Sequence, residues 1–352
     1  MPSSPDPRAS VARPRATVLG AYIEGWRRVL RAPALGAGML AVTFLLALPM
    51  ALALGTMLRA HLGASREADR AAAGWNAGWA AEFGAQAQGL GQTFSHEILG
   101  FGGTLANLSN FIDARPLTPA LAGAAAVYVT LWMFFSGGIL DRLARGRPVR
   151  AAAFFAACGV YFLRFLRLAI VIGAAYWLIF SALHPYLLGR VYGRWIRDVT
   201  VEREAIVVRA LLYAVVLLAL AAVNLIADFA KVRAVVEDRR SMLGAILASL
   251  RFIRRCHIRV AGLYLLNVLG LLILIRLWMS LAPPATAPSW SALLIAQVYL
   301  LVRIWTKLAF MASEVVFFQG ELAHATYTAA APLVWPESAA AEAIDNLVSN
   351  KN

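Results

Sequence analysis

Arg303 and Lys307 stand one helical turn apart, and Glu314 follows two turns later on the same face of a helix. Around them the run 289–311 is apolar enough to sit in hydrocarbon. Counted from Ser289, Arg303 lies about 21 Å into such a layer at the helical rise. Ionisable groups at that depth face the interior of a bundle and find partners there. Two other apolar runs bring polar groups to the same level: Asn224 and Asp228 at the inner half of one, Asn267 in another. The candidate site is therefore Asn224, Asp228, Asn267, Arg303, Lys307 and Glu314. Two chemistries fit it. One is a buried salt-bridge network joining the helices, with Asp228 opposite Lys307. The other is a pocket for an anion, a lipid headgroup or a transported ion. Arg209 and Arg276 fall within a turn or two of a layer boundary, where long side chains snorkel to water, and need no such role.

The motifs of other chemistries are incomplete. SHEILG around His96 starts like a zinc-protease helix, but the second histidine position is Gly100. GFGGTL, from Gly100, lacks the third glycine of a dinucleotide loop, and there is no Walker lysine and no G-x-S-x-G elbow. His61, His96, His184, His257 and His324 are scattered over separate segments, and Cys158 and Cys256 form no pair at ligand spacing. The expectation is a protein without catalytic residues, metal or cofactor.

The elements that must position the polar cluster follow from composition. Of 352 residues 61% are hydrophobic and 15% charged, with a mean hydropathy of +0.67. A soluble domain carries about 25% charged residues, so the excess apolar surface belongs in lipid. Six runs have the roughly 20 residues that a hydrocarbon layer demands: 34–58, 117–140, 168–189, 210–227, 260–281 and 289–311. The fold class is an all-α polytopic membrane protein. APPATAPS, starting at Ala282, turns the last two runs into a tight hairpin. Most Lys and Arg flank the runs on the side that holds both termini, which the positive-inside rule makes cytoplasmic. The net charge of +14 is then largely membrane topology rather than a nucleic-acid surface. The basic, Pro-rich stretch 1–15 reads as a disordered tail, 16–320 as the membrane domain, and 321–352 as a cytoplasmic tail. Ala- and Arg-rich usage suits a bacterial inner membrane.

Three amphipathic stretches precede the odd-numbered runs. YIEGWRRVLRAP carries Trp26 and Arg28, RAAAFFAACGVYFLRFLR carries Phe162 and Arg164, and RSMLGAILASLRFIRRCHIR carries Phe252 and Arg254. The second and third align without a gap, Phe162 on Phe252 and Arg164 on Arg254. They read as interfacial elbow helices anchored at the cytoplasmic face, on anionic headgroups of membrane lipids, and as the openings of three copies of one unit: elbow, span out, span back. Within 59–116, Trp75, Trp79 and Phe83 fit one amphipathic outer helix, and Phe94, Ile98, Phe101, Leu105, Leu108 and Ile112 a second. These helices form a lid on the bundle or, through residues 68–112, a docking site for a membrane or periplasmic partner.

NLIADFAKVRAVVEDRRSMLGAILASLRFIRR, with GGILDRLARGRPVRAAAFFAAC earlier in the chain, resembles a broad group of bacterial multi-pass membrane proteins similar to the membrane domain fused to some glycerophosphodiester phosphodiesterases. The resemblance covers the spans and elbows, roughly 137–320. It implies an accessory or organising membrane module and no phosphodiesterase activity, since the soluble catalytic domain has no counterpart here. The function expected is a non-enzymatic scaffold or accessory subunit associated with lipid or a partner protein, or else a small transporter or channel using the polar cluster.

Overall fold

A computed structural model describes residues 17–73, 76–94, 109–283 and 289–322. The helices are α1 (Val18–Leu30), α2 (Pro33–Ala64), α3 (Ala68–Ala73), α4 (Ala77–Gln86), α5 (Pro119–Arg145), α6 (Ala151–Leu178), α7 (Glu202–Val236), α8 (Met242–Arg255), α9 (His257–Leu281) and α10 (Ser289–Glu321), with no strand among the described residues. Six helical segments are long and apolar enough to cross a membrane: α2, α5, α6 with its extension to Trp195, α7, α9 and α10. The chain is an all-α polytopic membrane protein. Most spans run beyond the apolar runs that announce them; α7 reaches from Glu202 to Val236 and α10 to Glu321. Helix continues through the charged flanks because nothing there breaks it.

Local chemistry explains where the chain bends. Thr17 caps α1 by accepting from Gly20 N at 3.0 Å, and Ser241 caps α8 by accepting from Gly244 N at 3.2 Å. Pro33 opens α2 at the first helical position, where its missing N–H is not needed. α5 ends on Gly146 in the left-handed conformation, φ 65°. The second elbow differs from the expectation. It is no separate helix, because Ala151–Trp195 runs on unbroken, and no Pro stands between elbow and apolar run as Pro33 does in the first unit. Nor does Pro185 end the helix: π-helical turns at Ile179–Leu183 and Tyr186–Val191 absorb the lost N–H and the chain stays helical to Trp195.

The three units close into a ring. The start of α6 packs on α5, α8 packs on α7, and α1 packs on α10, from the opposite end of the chain. The second spans of the three units, α5, α7 and α10, each pack on the other two and form the centre. Each elbow thus lies on the second span of the preceding unit, which is the arrangement a threefold internal repeat requires. Burial concentrates at the elbow end: Ser136 to Ala144 of α5, Ala227 to Val235 of α7 and Ile304 to Gln319 of α10 supply most of the core. Toward the opposite end the spans expose large apolar side chains such as Leu52, Val129, Ile170, Leu218 and Ile273, as a lipid-facing surface does.

At that opposite end the insertion folds back on the bundle. Trp79 Nε1 donates to His61 Nδ1 of α2 at 3.0 Å, and Trp79, Phe83 and Phe94 pack with His61 as one aromatic cluster. The first amphipathic stripe is thus buried against the end of α2. Trp75 and most of the second stripe, from Ile98 to Leu108, lie outside the described residues. Beyond it, Phe111 meets Phe180 edge-on and Tyr213 donates to Asp113 at 2.5 Å, tying the insertion to the second unit. That hydrogen bond holds the Asp113 carboxyl below the usual carboxylate range.

Candidate functional site

A cavity of about 620 Å³ opens between the first and third units, with α10 as its back wall. Tyr128 and Trp132 of α5, Tyr264 of α9, and Tyr299 and Phe310 of α10 make it aromatic. Arg303 and Lys307 line it from α10, and Asn267 from α9. Both cations are exposed on the cavity wall. Their carrier helix is fixed by its buried stripe, Ile304, Leu308, Ala309 and Ala312, which packs into the core and turns the positions between toward the cavity.

Among the described residues, neither Arg303 nor Lys307 has a carboxylate within ion-pair reach. Lys307 Nζ instead sits 3.5 Å from the centroid of the Trp132 ring. A cation over an indole face is attracted by about 0.5–2 kcal/mol, according to how far it is desolvated. Asp228 is not opposite Lys307. It binds Lys231 on its own helix at 2.5 Å. Lys231 follows the apolar run 210–227, where a flanking charge is expected to face water, yet α7 continues past it and the side chain is half-buried. Sequence reasoning missed it for that reason, although its i, i+3 spacing from Asp228 was legible.

The remaining polar residues divide between structure and site. Asn267, 4% exposed, donates to Leu263 O at 2.9 Å and to Ser313 Oγ at 3.0 Å, and so pins α9 to α10 at the floor of the cavity. Asn224 accepts from Tyr176 OH at 2.6 Å and joins α7 to α6, away from the cavity lining. Glu314, 2% exposed, has no partner for Oε1 among the described residues. Asp228 and Lys231 lie within its electrostatic reach, and Lys307 in turn feels Lys231, Asp228 and Arg303. The six residues thus form a polar line rather than one cluster. It starts at the two cavity cations, passes Asp228 with Lys231, and ends on Glu314, nearer the elbow end.

The interfacial residues are placed differently from the expectation. Arg28 turns inward: it donates to Leu143 O at 2.8 Å and to Gln319 Oε1 at 3.0 Å, while Gln319 Nε2 donates to Ala144 O at 3.0 Å. The last carbonyls of α5, unpaired within their own helix, are satisfied across the ring closure. Burial lowers the pKa of the Arg28 guanidinium, and Glu24 beside it opposes the shift. Trp26 packs against the same region, with Val29 and Leu143. Arg164 binds Asp238 at 2.6 Å, and Phe162 meets Phe134 edge-on. Phe252 is core, tilted against Phe229 and edge-on to Phe317 and Phe318; only Arg254 stands exposed as an anchor should. Aromatic and basic residues that look alike along the sequence divide here between headgroup side and core, because the ring buries one face of each elbow.

Cys256 is buried, and burial, then the Glu321 carboxylate beside it, push its thiol up. That is the opposite of what a nucleophile needs. Among the described residues no group of three His, Cys, Asp or Glu side chains could hold a metal ion. Compared with family models, curated proteins and solved structures, the chain finds no match.

Proposed function

We propose that the protein is a non-enzymatic module of a bacterial inner membrane, with both termini cytoplasmic, that retains an anionic amphiphile in the cavity between its first and third units. The observation that carries this reading is the pair Arg303 and Lys307, two cations without carboxylate partners among the described residues, on an aromatic wall inside a spanning helix. Unpaired charge at such depth is costly, and a negatively charged headgroup in the cavity offsets it. The aromatic rings give the adjoining acyl or ring portion an apolar surface. The reading agrees with the accessory role that the resemblance implies. Extraction in native lipid patches followed by mass spectrometry tests it. Wild-type protein should retain an anionic lipid or amphiphile, and Arg303→Gln with Lys307→Gln should lose it at least tenfold, since charge-assisted hydrogen bonds contribute about 1.5–3 kcal/mol each. Equal retention by the double variant refutes the proposal.

A transporter is the second reading, favoured by the polar line that continues from the cavity through Asp228 and Lys231 to Glu314. Anion flux in proteoliposomes that vanishes in Glu314→Gln, with the amphiphile still bound, would select it.

A further inference from the structure

The basic run RFIRRCHIR holds a second site, and the arginine that reads as its exposed anchor is not part of it. A pocket of about 420 Å³ lies at the elbow end, between the end of α7, one face of α8 and Leu322 after α10. Four arginines line it: Arg233, Arg239, Arg251 and Arg255. Among the described residues one carboxylate answers them. Glu237 accepts from Arg233 Nη2 at 3.1 Å and from Arg239 Nε. Arg251 and Arg255 have no acidic partner among the described residues, and Arg251 and Arg239 both lie within electrostatic reach of Arg233.

An independent observation points to a ligand. Arg233 is 9% exposed, with its guanidinium over the Phe318 ring, and its Nε, although buried, has no hydrogen-bond partner among the described residues. A buried charged donor left unpaired is unfavourable. Packing explains why the cations converge. Met242 and Ala245 bury the other face of α8 in the core, so Gly244, Leu247, Ala248, Arg251 and Arg255, together with Phe252, form the pocket face. Arg251 and Arg255 are one turn apart and share that face, whereas Arg254 is off it.

We propose that this pocket binds a phosphate-bearing anion, as the headgroup of an anionic phospholipid or as a free phosphate compound. Planar guanidinium groups match phosphate oxygens in pairs, and four of them around one carboxylate leave an excess of positive charge for a phosphodiester or pyrophosphate to neutralise. Gly244 and Leu247 give the rim a surface against which the start of a glycerol backbone lies. The site is separate from the intramembrane cavity and stands or falls independently of it.

The test measures full-length protein in nanodiscs of zwitterionic lipid with and without phosphatidylglycerol, and in detergent with inorganic pyrophosphate, reading bound ligand by native mass spectrometry and stabilisation by thermal shift. Arg251→Gln with Arg255→Gln should weaken binding about 30-fold, from roughly fivefold per cation near the surface. Arg254→Gln, of equal charge change but outside the pocket, should leave it within twofold of wild type. Protection by pyrophosphate assigns the free compound as ligand; protection only in phosphatidylglycerol discs assigns the lipid. Equal losses in Arg254→Gln and the double variant would show unspecific surface charge and overturn the proposal, as would no protection by either probe. Unchanged melting of the ligand-free double variant guards against mistaking unfolding for lost binding.

Discussion

Gly25→Ala tests the ring closure directly. A Cβ on Gly25 would stand 2.7 Å from Ser313 N and 2.8 Å from Ser313 Cα. The obstacle is the backbone of α10, which cannot rotate aside as a side chain can. To restore ordinary contact α1 must withdraw by about 0.7 Å. The Arg28 hydrogen bonds to Leu143 O at 2.8 Å and Gln319 Oε1 at 3.0 Å sit one turn along α1, and the same withdrawal takes both to the edge of bonding. Overpacking costs about 1–3 kcal/mol, and weakening a charged donor to buried carbonyls adds about 1.5–3 kcal/mol. The gain in helix propensity from Gly to Ala returns about 1 kcal/mol. The net is a loss of about 1.5–5 kcal/mol, or roughly 2–7 °C in apparent melting temperature for 352 residues. The control is Gly38→Ala on α2, where a Cβ meets nothing within 4 Å, so only the propensity gain remains. Both variants and wild type are melted in the same detergent, with intrinsic tryptophan fluorescence as the readout. If Gly25→Ala melts with Gly38→Ala, α1 does not dock on α10 in the way described, and the closed ring is wrong.

Other consequences are equally direct. Asp228→Asn should destabilise by about 1.5–3 kcal/mol because it leaves the half-buried Lys231 without its partner, and adding Lys231→Gln should recover part of the loss. Adding Lys307→Gln instead should recover less; the reverse order in a double-mutant cycle would restore the Asp228–Lys307 pairing expected from sequence. Ser313→Ala removes the acceptor of a buried Asn267 bond and should cost about 1–2 kcal/mol in thermal unfolding, with no change in retained amphiphile. The Tyr213 bond to Asp113 depresses the Asp113 pKa, so its small stabilisation is complete above the ordinary carboxylate pKa of about 3.9 and is lost as pH falls through the lower folded value. Hydrogen exchange at 109–113 should therefore stay protected at pH 5 and match Asp113→Asn only in stronger acid; equal protection in the variant at pH 5 would remove the tether.

Much of this architecture was written in local chemistry. Runs of apolar residues longer than a bilayer is thick leave a helix as the structure that satisfies its own backbone, so the six spans were legible before any packing was considered, but not how far their helices run on into the charged flanks. The elbows were equally plain where a break follows them, at Pro33 after α1 and at Cys256 after α8. The depth of Arg303 and Lys307 needed only a count of residues along a helix. What local chemistry could not decide was which neighbour each face would meet. Arg28 and Arg254 sit in similar basic runs, yet one closes a ring against α5 and α10 while the other faces outward. Asp228 had two lysines within plausible reach, and only the rotation and length of α7 placed Lys231 on it. Helical periodicity determines a side chain's angle about its own axis, whereas partnership depends on how three hairpins rotate and tilt against one another. That is a property of tertiary contacts between residues far apart in the chain. It is why the spans were legible from the sequence, while the unpaired cations, the cavity they line and the arginine pocket emerged from the packed bundle.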